Sequence, residues 1–406
     1  MPTPSTRTAR LGAALLLVAP VWLASSSLAA ETTCLGKKAT VTGTEDADEL
    51  TGTPGVDVIL AGDGDDIVDG GGGNDLICGG AGRDWLVGGE GDDVISGGAD
   101  ADAPRGGVVS IGGGIIDFRP GYREGGIYGG PGNDKLLGDE GVDYIAGEAG
   151  NDALYGGADG DRLFGGEGDD RISGEPGNDS MYGQEGNDSL DSGPGNNYVH
   201  GGEGNNRLIG REGDDDLYAG PGADLVDAGA GNDYVNVGDG NNRILTRAGD
   251  DDVYTGAGND SIDVGDGDNY VNAGTGANRV VARDGDDDVY SGSGNDVVLV
   301  GGGKNYVNAG AGGNRIVARD GADQIYSGGG HDIVEAGGGD NYVNAGGGHN
   351  RLRTLGGKDS IYAGSGDDRI SAGAGDDYIN AGSGKDYVDG GLGNDDCNGA
   401  EDARDC

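Results

Sequence analysis

Gly165-Gly166-Glu167-Gly168-Asp169-Asp170-Arg171-Ile172-Ser173 is one unit of a nine-residue pattern that runs almost unbroken from about Gly43 to Asn398. The same frame is read in Gly70–Cys78 (GGGGNDLIC) and Gly88–Ser96 (GGEGDDVIS). With each unit numbered from its first residue, the sixth position is acidic throughout the first half. It is held by Asp48, Asp57, Asp66, Asp75, Asp84 and Asp93, then by Asp134, Asp143, Asp152, Asp161, Asp170, Asp179 and Asp188. The eighth is aliphatic (Met181 included) from Leu50 to Val388, counting Ile127 after one interruption, and only Cys397 departs. A short fixed period of this kind dictates a stack of coils, because a unit with one apolar residue can bury it only against its neighbours. Glycines supply backbone with φ > 0 and let successive turns approach closely. A three-residue strand with an aliphatic centre turns that side chain inward and its two neighbours outward. Composition alone would suit a disordered chain, but disorder does not require an aliphatic residue at every ninth place.

The pattern resembles the RTX (hemolysin-type) calcium-binding repeat, GGxGxDxUx, over roughly seven-eighths of the chain. The resemblance implies an all-β fold, a parallel β-roll in which positions one to six form a turn and seven to nine a short strand. Two units make one coil, so about eighteen coils at a strand spacing of roughly 4.8 Å give a roll on the order of 90 Å long. It also implies several Ca²⁺ ions between turns stacked on the same edge, held by the position-six carboxylates and backbone carbonyls. Calcium takes six to eight oxygen ligands, which one carboxylate and several loop carbonyls can provide.

The chain carries 26 basic and 73 acidic residues, a formal charge of −47, with 95 glycines and only two phenylalanines and two tryptophans. Such a charge argues against nucleic acid or an anionic membrane as partner and for divalent cations. Self-repulsion and the entropy of ordering so much glycine make metal binding and folding one expected event. Residues 1–30 read as a secretory signal, with Arg7 and Arg10 before the apolar stretch Leu11–Leu23 and small residues at Ser27-Leu28-Ala29. Its removal would take the charge from −47 to −49 and leave no membrane span. Four cysteines allow three connectivities; an oxidising compartment suits Cys34–Cys78 with Cys397–Cys406, a staple at each end of the stack. The opening of the array is similar to leader repeats of secreted actinobacterial members of the family.

Along the chain, residues 31–102 form a cap and an acidic array. The frame breaks at 103–125, where Val108–Ile111 and Ile115–Phe118 flank a triple glycine and suggest a protruding hairpin. Residues 126–191 are a second acidic array. Across 192–362 a 36-residue period is superimposed: Asn197, Asn206, Asn242, Asn269, Asn278, Asn305, Asn314, Asn341 and Asn350 take position six. Asp215, Asp224, Asp251, Asp260, Asp287, Asp296, Asp323 and Asp332 retain it, and Asp233 stands where Asn is expected. Residues 363–406 close the array with Asp359 (of the preceding unit), Asp368, Asp377, Asp386, Asp395 and the second cysteine pair. Asparagine offers calcium a carbonyl oxygen without charge, so weaker sites are expected here. Arg211, Arg247, Arg283 and Arg319 occupy position two, placed to pair with position-six carboxylates.

The GxGxxG strings open no helix after a strand, and His200, His331 and His349 form no HExxH or catalytic arrangement. The chain therefore reads as a structural or interaction protein, not an enzyme. Tyr198, Tyr234, Tyr270, Tyr306 and Tyr342 at position seven, with Tyr218, Tyr254, Tyr290, Tyr326 and Tyr362 at position nine, should form one outward stripe on one sheet. That stripe raises an alternative, a cell-surface adhesin binding cell-wall or extracellular polysaccharide. The other sheet turns Leu245, Val281, Val297, Leu299, Val317 and Ile333 outward, a patch suited to self-association.

Overall fold

The computed structural model of the chain describes residues 33–100, 102 and 126–406. The leader at 1–30 and the expected hairpin at 103–125 lie outside the described residues. Strands alternate between two parallel ladders, one running from Val41–Thr42 to Asp402–Arg404 and the other from Glu49–Thr51 to Asp396–Asn398. Each strand pairs with the strand eighteen residues on, as in Leu154↔Ile172↔Leu190↔Leu208. Two units therefore make one coil, and the fold is a parallel β-roll. On either side of residues 103–125 the ladder keeps its register. Gly126-Ile127-Tyr128 pairs with Trp85-Leu86-Val87, and Asp134 meets Asp93 across 41 residues of sequence instead of 18.

The core is a ladder of position-eight side chains from both sheets, with Leu163, Ile172, Val271 and Val280 all fully buried. From Ala219 onward a second inward row joins it, because position one changes from Gly to Ala, Val, Thr or Ser. Ala219, Val237, Val264 and Ala273 are fully buried beside the main ladder. Strand length also changes along the chain. Strands such as Arg162–Glu167 continue through positions one to three of the next unit, six residues in all. Strands such as Tyr270–Asn272 span three residues, and beyond them only position three bridges between turns, as in Ala257↔Thr275↔Ser293. The expected three-residue strand thus prevails from Tyr234 on, while Glu49–Thr51, Arg171–Ser173 and Ser189–Asp191 are already short among the longer strands of the first half.

Both ends are stapled. Cys34, in the antiparallel pair Thr33–Cys34 and Lys37–Lys38, is bonded to Cys78 with Cα atoms 5.6 Å apart. Cys397 is bonded to Cys406 at 5.8 Å. At the C-terminal end the Tyr387 ring lies between Arg369 and Arg404.

Candidate metal centres along the two edges

Each edge of the roll is a row of turns, and the chemistry of a turn follows from its backbone. Gly166 and Gly168, positions two and four, hold φ of +124° and +126°, a region closed to most side chains. This winding points position six inward. All the expected aspartates from Asp57 to Asp386 are buried, and only Asp395, in the last unit, is half-exposed. One carboxylate oxygen of each is engaged. The N–H of Asp152 donates to Asp170 Oδ1 at 2.8 Å, and the N–H of Asp170 to Asp188 Oδ1 at 2.9 Å, so every turn fixes the next along the edge.

The other oxygen is not. Oδ2 of Asp66, Asp75, Asp84, Asp93, Asp134, Asp143, Asp152, Asp161, Asp170, Asp179 and Asp188 is buried with no hydrogen-bond partner. It sits among oxygens: a Cβ built on Gly165 would run into Asp170 Oδ2 and stand 2.8 Å from the Gly183 carbonyl oxygen one turn on. Glycine at 165 leaves that space open. An unpaired buried carboxylate oxygen facing a carbonyl oxygen is strongly unfavourable unless a cation or proton lies with it. Burial accordingly pushes the carboxyls up, Asp143 to about 8, Asp84, Asp134, Asp161 and Asp170 to about 7, and Asp152, Asp179 and Asp188 to about 6. Among the described residues no three His, Cys, Asp or Glu side chains converge, so an ion here must draw most of its ligands from backbone carbonyls. That is calcium's chemistry more than that of softer metals.

The family model for the RTX calcium-binding nonapeptide repeat matches residues 42–77, 79–106, 128–298 (in overlapping copies), 300–334, 335–370 and 362–397. The chain belongs to the RTX calcium-binding nonapeptide-repeat family. Multiple Ca²⁺ ions are its cofactors, and the orphaned oxygens fit them. No curated protein matches the chain.

Within this RTX roll, Asp102 continues the buried row of position-six aspartates across the interrupted frame. It is buried, its Oδ1 accepts the Asp84 N–H, and its own N–H donates to Asp143 Oδ1 at 2.7 Å. Its spacing of eighteen from Asp84 was the available signal. Asp57 is different, because Thr53 donates to its Oδ2 from both backbone N–H (2.6 Å) and hydroxyl (2.8 Å), which holds its carboxyl below the usual range. In the later zone Oδ2 of Asp215, Asp224, Asp233, Asp251, Asp260, Asp287, Asp323, Asp332, Asp359, Asp368, Asp377, Asp386 and Asp395 is again unpartnered, whereas Asp296 Oδ2 accepts the Ser291 hydroxyl at 2.9 Å.

The expected pairing of arginines with position six is corrected. Arg247 binds Asp227 at 2.6 Å and Arg283 binds Asp263 at 3.1 Å, and Arg211 likewise takes Asp191. These partners stand at position nine on the sheet face. A position-two side chain leaves the turn outward, so it reaches the neighbouring strand and not the buried row. The residue at Arg319's corresponding place is Leu299, and no such ion pair forms there.

The tyrosine stripe is longer than the repeat shows. Rings run unbroken along one sheet from Trp85 through Tyr128, Tyr144, Phe164 and Tyr182 into Tyr198 and on to Tyr378. Tyr254, Tyr270, Tyr290 and Tyr306 stand 5.4–5.6 Å apart between centroids, tilted by about 40°. Alternation between positions seven and nine brings one ring per turn to a common line.

Proposed function

We propose that this is a secreted structural or interaction protein whose roll is assembled by extracellular calcium. The carboxylate ligands in this reading are the position-six aspartates, from Asp57 through Asp395 and including Asp102, completed by turn carbonyls. The observation that carries it is the row of buried, unpartnered Oδ2 atoms along both edges. One apolar residue per nine makes a thin core, so the repulsion within that row weighs heavily on a metal-free roll. The two disulfides and the signal-like leader support secretion. Far-ultraviolet circular dichroism of the mature chain should be coil-like in excess chelator and β-rich near millimolar calcium, the range of extracellular modules. A β-rich spectrum indifferent to chelator would overturn the coupling.

The aromatic ladder favours a second reading, an adhesin that holds polysaccharide on its tyrosine sheet. Neighbours on both sides occupy much of each ring, which leaves less open face for sugar stacking than isolated rings would offer. Retention of the chain on cell-wall polysaccharide, lost when Tyr254, Tyr270, Tyr290 and Tyr306 become Ser, would establish this reading. No retention of the parent chain would remove it.

A further inference from the structure

The asparagines at position six differ from the aspartates in one respect that geometry makes decisive. Their Oδ1 is already used: Asp224, Asp260 and Asp296 donate their N–H groups to Oδ1 of Asn242, Asn278 and Asn314 at 2.9, 3.0 and 3.0 Å. The amide nitrogen therefore lies where an aspartate has its orphaned Oδ2. From there Asn278 Nδ2 donates to the carbonyls of Ala273 (2.9 Å) and Ser291 (3.2 Å). Asn206 reaches the carbonyls of Gly202 and Ala219, and Asn314 that of Ser327 at 3.0 Å. On the other edge Asn269 donates to the Gly267 carbonyl at 2.8 Å and to Asp287 Oδ1 at 2.9 Å. Asn197, Asn242, Asn305, Asn341 and Asn350 each find at least one turn carbonyl as well.

These acceptors are the carbonyls of positions one, two and four. The next-turn position-one carbonyl among them is the counterpart of the Gly183 oxygen that faces Asp170 Oδ2 in the acidic array. Where aspartate sets oxygen against oxygen, asparagine sets N–H against oxygen. Oδ2 of the aspartates is left bare in turn after turn, while no position-six asparagine has a buried atom without a partner.

We propose that the position-six asparagines are internal substitutes for calcium, and that their turns take no ion. The proposal rests on the calcium reading above and replaces the expected weak sites at these turns with none. Along each edge of 192–362, ion-dependent turns then alternate with self-satisfied ones. The run Asp215, Asp233, Asp251 is the exception, a short stretch of acidic array inside the zone.

The test is the number of calcium ions bound by the full mature chain in equilibrium dialysis against calcium alone. Asn242→Asp, Asn278→Asp and Asn314→Asp together should add roughly one ion per substituted turn and raise the calcium needed for folding. Asp224→Asn with Asp260→Asn, which extends an unbroken asparagine run, should lose ions while the fold persists at lower calcium. Unchanged ion counts in both variants, in a parent that binds calcium, would show that asparagine turns already hold ions and would overturn this inference alone. A parent that binds no calcium would overturn the calcium reading and this one with it.

Discussion

The acidic array before residue 192 and the 36-residue zone after it share one core and differ at their edges. In the first, glycine at position one leaves room beside an aspartate whose Oδ2 has no partner. In the second, position one from Ala219 on carries a Cβ that thickens the core, and the turns with asparagine at position six close on themselves through its amide. The lesson is that one coil geometry leaves a buried carboxylate oxygen bare at one kind of turn and satisfies an amide from the turn's own carbonyls at the other. The residue at position six decides which.

The largest expected contrast is in pH dependence without metal. Burial raises the folded-state pKa of the aspartates, so their contribution is fully present below the ordinary carboxylate range and is lost as pH rises through the folded values. In chelator the acidic array should lose structure as pH climbs through about 6 to 8, following Asp152, Asp170 and Asp143. In the later zone Asp215 and Asp233, within the acidic run, are pushed to about 7, but Asp287 and Asp323 reach only about 6, where burial is offset by asparagine amides and backbone N–H groups that favour the charged form. Hydrogen exchange by segment should show acid restoring the array. Equal pH response in both regions would break the comparison.

The core is where the regions should agree. Val271→Asp and Leu163→Asp each put an unpaired charge in the aliphatic ladder and should cost about 3–5 kcal/mol, measured by denaturation in calcium. Tyr270→Ser, one residue away, removes two ring contacts at about 0.5–1.5 kcal/mol each. Similar losses for Val271→Asp and Tyr270→Ser would place the inward row wrongly.

Position one sharpens the comparison next. Gly165→Ala would force a Cβ against Asp170 Oδ2 and the Gly183 carbonyl and should cost about 1–3 kcal/mol, with weakened calcium binding in a titration. At residue 273 the alanine is native, and Ala273→Gly should leave ion binding unchanged.

The smallest effect is expected from Arg211→Gly. It removes an exposed ion pair worth about 0–1 kcal/mol and relieves a non-glycine residue at φ +88°, so thermal unfolding should move little in either direction.

The period of nine and the aliphatic eighth position determined a stack of short coils, the inward row and the acidic sixth position, because so short a unit can bury its apolar residue only against its neighbours, and the resemblance to the RTX repeat implied the β-roll and its two sheets. The outward tyrosine line was legible as well, and so was the cysteine staple at each end. Tertiary structure decided what depends on the neighbouring turn. Asp102 joins its row only because the strand after the break resumes the old register. The arginines choose position nine because a position-two side chain leaves the turn outward, a direction that spacing does not encode. The two oxygens of one carboxylate part company, one held by the N–H of the turn before and one bare, and an asparagine in that place turns its amide onto the carbonyls that the bare oxygen faces. Sequence names the residue at each turn, but whether that turn needs an ion is fixed by contacts eighteen residues away.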